Sequence, residues 1–270
     1  MLPVLAVAGL LLASPELSPP TLKAYERYVS LTELRIRAER AGTAPAFWID
    51  RQSERIKASA WQKLRRGEVI AESLETRDNG QPIDVPDGRI HHWVATTLLP
   101  GVPIDRVLAV VRDYDRYPQV FAPLMTRAKA IEKIDKNEKQ GDRDVVTLRT
   151  SIKKLISVVM EGDYVMEYAR LGPTRVATTT IATNLHQVIN EGRADERREP
   201  TDRTEGYLWR YRMYCTLEQR PEGALDQCES LTLTRTVPGL VSWLVGGTVA
   251  AIPRDSLTLM LSGTKKALAK

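Results

Sequence analysis

The chain is poor in the residues that build metal and nucleophile sites. Its 270 residues hold two cysteines, Cys215 and Cys228, and three histidines, His91, His92 and His186. Neither cysteine stands in a CxxC pair, so no zinc site is expected. His91 and His92 are neighbours on a strand-like segment and point to opposite faces, so they cannot share a metal. His186 reads as a surface or satisfied core residue, because a general base needs a partner and a tuned pKa. No GxSxG elbow, no HExxH pair and no phosphate-cradling glycine loop occurs. No catalytic residue, metal ligand or cofactor is therefore assigned, and binding is expected ahead of catalysis.

Long hydrophobic runs are also missing. The one strongly apolar stretch, residues 2–13, falls short of the ~20 residues that span a bilayer. It has no charge before Glu16 and ends in the small residues Ala13 and Ser14, the pattern of a secretory signal core, although no Lys or Arg precedes it. Residues 1–14 are thus expected to be a signal peptide and the protein to be exported, periplasmic or secreted. A disulfide is then chemically permitted. Basic residues exceed acidic ones by 39 to 34, but the two are interspersed, as across residues 193–199. That is a solvated mixed surface, and nucleic acid is not expected as a partner.

What the sequence does contain is periodic. Residues 21–40 place Leu22, Tyr25, Tyr28, Val29 and Leu34 at roughly helical spacing, and a second helix is expected over 46–65 before Gly67. Residues 15–66 then form a helical N-terminal segment. Strands are expected over 68–74 and 89–99. A helix follows Pro103, with Ile104, Val107, Leu108 and Val111 on one stripe, and ends at Tyr117-Pro118. Asp113 and Asp115 at its end read as local turn-formers. Six β-segments are expected over 126–134, 143–152, 155–169, 175–188, 206–217 and 227–237, with the charged stretch 191–204 as a surface loop. The chain closes in helix: a first piece over 238–245, loosening at Gly246-Gly247, and a last helix from Pro253 with Leu257, Met260, Leu261 and Leu268 on its buried stripe. The class is α+β: a curved antiparallel sheet that one covering helix cannot fill, leaving an apolar gap.

Residues 102–107 with 113–118 resemble the first-helix signature of START-like (SRPBCC) proteins, and 237–244 with 252–257 resemble their C-terminal lid helix. Residues 64–69 and 206–210 look closest to exported bacterial START-like proteins without assigned function. The resemblance spans residues 67–269 and implies a helix-grip domain, residues 67–270, around a hydrophobic cavity. It implies binding or transport of a lipid, an isoprenoid quinone or a polyketide-like molecule. The alternatives are a cyclase- or hydrolase-type enzyme on such a substrate, or an envelope-associated protein-binding module working through the N-terminal helices.

Two readings concern the strand over 206–217. Tyr207, Trp209, Tyr211, Met213 and Cys215 share one face by alternation, and Leu208, Arg210, Arg212 and Tyr214 share the other. The aromatic face is expected inward, where Tyr207, Trp209, Tyr211 and Met213 would meet a ligand together with Leu257, Met260 and Leu261; plain core packing is the alternative. If Cys215 and Cys228 pair directly, Ser230 and Thr232 face inward and Leu231 and Leu233 outward. If the leucines face inward, the bridge fails unless a bulge shifts the register. The apolar, glycine-loosened stretch 243–247 either opens the lid and touches a membrane transiently or packs on the sheet.

Overall fold

The computed structural model describes residues 16–134, 142–153, 157–202, 206–236 and 239–269, and of residues 133–134 and 239–250 only the backbone. The signal reading of residues 1–14 lies outside the described residues, and the membrane reading of 243–247 falls on side chains outside them. No helix among the described residues is long and apolar enough to cross a membrane.

The elements run α1 (Pro19–Arg40), a 3-10 turn (Trp48–Arg51), α2 (Glu54–Arg65), β1 (Ile70–Ser73), a small hairpin of β2 (Arg77–Asp78) and β3 (Gln81–Pro82), and β4 (Gly88–Pro100). Then come α3 (Ile104–Val111), a 3-10 turn (Tyr114–Arg116), α4 (Tyr117–Val120), β5 (Met125–Ile134), β6 (Asp142–Lys153), β7 (Ser157–Arg170) and β8 (Arg175–Ile189). The chain ends with β9 (Arg197–Pro200), β10 (Leu208–Arg220), β11 (Gly223–Arg235) and α5 (Gly239–Leu268). Every strand pairing is antiparallel, in the order β1-β4-β11-β10-β8-β7-β6-β5, with β9 alongside β8. The α+β helix-grip expectation agrees with this: a curved sheet holds the long C-terminal helix. Register shifts between Leu208 and Arg210, Met125 and Arg127, Ala130 and Glu132, and Asp163 and Tyr164 are the bulges that bend the strands.

Helix α1 starts where the sequence tells it to. Ser18 caps it, Pro19 and Pro20 occupy its first positions, and Arg37 and Arg40 sit in its last turn. Its buried stripe, Tyr25, Tyr28, Val29 and Ile36, packs on Trp209, Tyr214, Leu231 and Leu233 of the sheet, while Leu34 stands exposed. Polar contacts tie the same helix down. Tyr28 Oη lies 2.9 Å from His92 Nδ1, and His92 Nε2 lies 2.6 Å from Glu229 Oε1. Arg35 reaches both Glu229 and Glu39. Burial raises the Glu229 carboxyl, but its bond to His92 and the charge of Arg35 outweigh burial and hold it down to about 2.

Burial of the second face explains one departure from the sequence reading and decides an alternative it left open. Trp209 does not join the inward face. The bulge between Leu208 and Arg210 turns Trp209 to the α1 side, where it is fully buried, and lets Tyr207 and Leu208 face the same side as Tyr211. The cysteines pair directly in register and form a disulfide. The leucines do face away from the helix-grip side, but α1 covers them, so residues 223–234 of β11 are all buried.

Other boundaries shift for local reasons. The second helix breaks into a 3-10 turn and α2, because Phe47 and Ile49 plug a core with Ala60, Leu64, Leu98 and Leu225. Gln227 secures that plug, accepting from Trp48 N at 2.7 Å and donating to Ala46 O at 3.2 Å. The helix after Pro103 stops at Val111, and Tyr117-Pro118 opens α4 instead of ending α3. The stretch 191–204 is not all loop: β9 pairs with β8, and Glu161 on the neighbouring strand accepts from Arg149 and Arg198 at 2.7 Å each. Helix α5 runs unbroken through Gly246, Gly247 and Pro253.

Two glycines set the packing of the gripped helix and its sheet. Gly223 has φ +138°, and a Cβ there would lie 2.1 Å from Leu99 O. Only glycine lets the β10–β11 turn close against β4. On α5, a Cβ at Gly263 would lie 2.5 Å from Val120 O, so the helix rests directly on the end of α4.

Trp209→Ala is expected to destabilise the fold by about 3–5 kcal/mol, as for a large buried aromatic. Urea unfolding would measure the loss, and hydrogen exchange over residues 19–40 should speed up. A stability within error of the parent would show that α1 does not depend on this contact.

Candidate functional site

Between the concave side of the sheet and α5 lies an apolar cavity of about 180 Å³. Helix α5 covers it with Leu257, Met260, Leu261 and Thr264. Strands β10 and β11 supply Tyr211, Met213, Cys215, Asp226, Cys228, Ser230 and Thr232, and β6 to β8 supply Leu148, Met160, Tyr164, Met166, Tyr168 and Thr180. Val111, Tyr117 and Phe121 close the end beside α3 and α4. An apolar cavity of ~150 Å³ stays dry and takes up benzene, so this one has room for a ring or an acyl segment.

All five methionines among the described residues, Met125, Met160, Met166, Met213 and Met260, line this space. Methionine is unbranched and polarizable and repacks around guests of different shape. Tyr164 and Tyr211 meet edge to face, with ring centroids 5.9 Å apart. Burial raises both phenols, so they stay protonated. Among the described residues the Tyr211 hydroxyl donates only to the weak acceptor Met213 Sδ, at 3.4 Å. At the α3 end the Tyr114 hydroxyl donates to Asp144 Oδ2 at 2.5 Å and lies 2.8 Å from Tyr168 Oη, with an Arg112 guanidinium nitrogen 3.5 Å from Asp144. That network anchors the wall residue Tyr168.

Of the residues singled out from sequence, Tyr207, Tyr211, Met213, Leu257, Met260 and Leu261 line the cavity, and Trp209 is on the opposite side of the sheet. Asp113 stays at the surface, 3.9 Å from Arg116, and Asp115 is exposed. His91 bonds Thr234 Oγ1 at 3.0 Å, while His92 turns to Glu229 on the other face. The β7 side of the wall escaped the sequence reading, although Tyr164, Met166 and Tyr168 alternate there.

Asp226 was missed as well, although it shares parity with Cys228. It is 4% exposed on the cavity wall, and burial pushes its carboxyl from 3.8 up to about 7. Cys228 Sγ lies 3.9 Å from its Oδ1, but this is a disulfide sulfur with no proton to donate.

In solved structures the chain finds similar folds at low identity. It is similar to human STARD10, with TM-score 0.42 and 11% identity over 80% of each chain. It is similar to the lipid transfer and protein localization domain of human StarD13, with TM-score 0.41 and 7% identity over 79% of this chain and 98% of that one. A third is the Zhui aromatase/cyclase from Streptomyces sp. R1128, with TM-score 0.41 and 10% identity over 67% of this chain and 94% of that one. No family model matches the sequence, and no curated protein matches it significantly.

Because the folded state disfavours the ionised Asp226, wild-type protein should lose stability as pH rises from about 3.8 to about 7. Asp226→Asn removes that cost. The variant should match wild type near pH 4 and exceed it above about pH 8 by ~2–4 kcal/mol, the upper end being the full shift in energy. Denaturant melts across this range check it; a gap that does not change with pH would contradict the assignment.

Proposed function

We propose that the protein binds and carries an apolar small molecule, such as a lipid, an isoprenoid quinone or a polyketide-like compound, in the cavity between its sheet and α5. The observation that carries this reading is the cavity's wall: five methionines, paired phenols and aliphatic side chains around empty apolar space. A core built only for stability closes such space, because each unfilled volume forfeits packing energy. Affinity would come from apolar burial at ~25 cal/mol per Å², and the methionines suit guests of more than one shape. We also propose export, supported by the apolar run of residues 2–13 and by the Cys215–Cys228 disulfide, a bond that persists in oxidising compartments.

The test is mass spectrometry of an organic extract from protein purified from its native host, wild type beside Thr180→Phe. Thr180 lies on the wall in β8, and phenylalanine suits a strand while filling the space. Wild type should release a near-stoichiometric apolar compound. The variant should release at least tenfold less and melt at the same temperature or higher. Equal amounts from both proteins, or none from wild type, would contradict the proposal.

A further inference from the structure

Asp226 is the carboxyl that the cavity reading leaves without a task. It sits on β11, two residues from Cys228 and opposite Leu217 of β10, on the sheet wall of the cavity. Among the described residues its one hydrogen-bonding contact is to the disulfide sulfur, which cannot donate to it. Directly across in the register is Thr97 of β4, whose hydroxyl is buried and without a hydrogen-bond partner among the described residues. Ser230, further along β11 on the same wall, has a hydroxyl in the same condition. Buried polar groups are costly to leave unanswered and are normally satisfied. Asp226 and Ser230 thus stand in a mostly apolar wall, where hydroxyls such as those of Thr180 and Thr232 are set among methionines and aliphatic side chains.

Resting on the cavity reading above, we propose that the Asp226 end of the cavity is a recognition site for an uncharged hydroxyl at the leading end of the ligand. A protonated carboxyl and a hydroxyl exchange two hydrogen bonds, one donated each way, and bury no net charge. An ammonium would have to leave its water for an apolar space, which costs more than the single ion pair returns in such surroundings. A ligand carboxylate would likewise have to leave its water for the apolar space and would find a single donor on Asp226, its proton. The molecule that fits is therefore apolar along its length and alcoholic or phenolic at its tip, inserted tip first.

Calorimetric titration of the full-length protein with naphthol, naphthalene and aminomethylnaphthalene tests this, on wild type, Asp226→Leu and Asp226→Asn. Wild type should bind naphthol about tenfold more tightly than naphthalene, the gain expected of one or two well-placed hydrogen bonds. Asp226→Leu should bind both equally, with naphthalene no weaker than on wild type, and Asp226→Asn should keep part of the preference. Leucine at a buried, unpaired acid is not expected to harm folding. Equal binding of naphthol and naphthalene by wild type would overturn the hydroxyl site and leave the cavity reading standing. Tightest binding of the amine would overturn the choice of an uncharged group. Failure of all three probes to bind would overturn the cavity reading together with this inference.

Discussion

The β10–β11 hairpin has to satisfy two environments at once, and the rest of the molecule is arranged around that demand. One side of these strands carries Trp209, Tyr214, Leu231 and Leu233, which need cover from water. The other carries Met213, Cys215 and Cys228, which meet Leu257 and Leu261 of α5. A strand exposed on one face would alternate apolar and polar; β11 is buried on both. Helix α1 therefore belongs to the fold's energetics. Without it, a broad apolar surface and the buried Glu229–His92 pair would open to solvent. With it, the helix-grip side can remain partly empty, because stability is supplied from the opposite face.

That division of labour accounts for the character of the cavity. Buried packing in the α1 layer and in the core of Phe47, Ile49 and Leu64 lies on the face of the sheet away from the cavity. The space under α5 is left to side chains that tolerate change, methionines foremost, with hydroxyls and one carboxyl set into the wall. The unpaired Asp226 works against folding at neutral pH, a cost borne at a place where it faces a guest-sized space.

Much of this was legible in the sequence, and the failures are physical. Helical and strand periods located the main elements, and the stripe of Leu257, Met260 and Leu261 placed α5 against the sheet. Alternation sorts side chains onto two faces but does not say whether the second face is also covered, which is why the cysteine pairing stayed open until α1 was seen over Leu231 and Leu233. A bulge adds one residue and reverses parity, and no residue type at Leu208-Trp209-Arg210 announces it; Trp209 was misplaced for that reason alone. The charged stretch holding β9 looked like loop because its strongest partner, Glu161, is some thirty-five residues away and buried. Asp226 was passed over because a lone acid in a strand usually faces water.

The central claim is that the methionine-lined space is where an apolar ligand goes. The most direct measurement is NMR of methyl-labelled methionine, titrated with naphthalene. Met125, Met160, Met166, Met213 and Met260 come from four elements, β5, β7, β10 and α5, and all line the cavity. The account predicts that their methyl resonances move together and saturate at one equivalent. Resonances that stay in place while the probe binds elsewhere would contradict it.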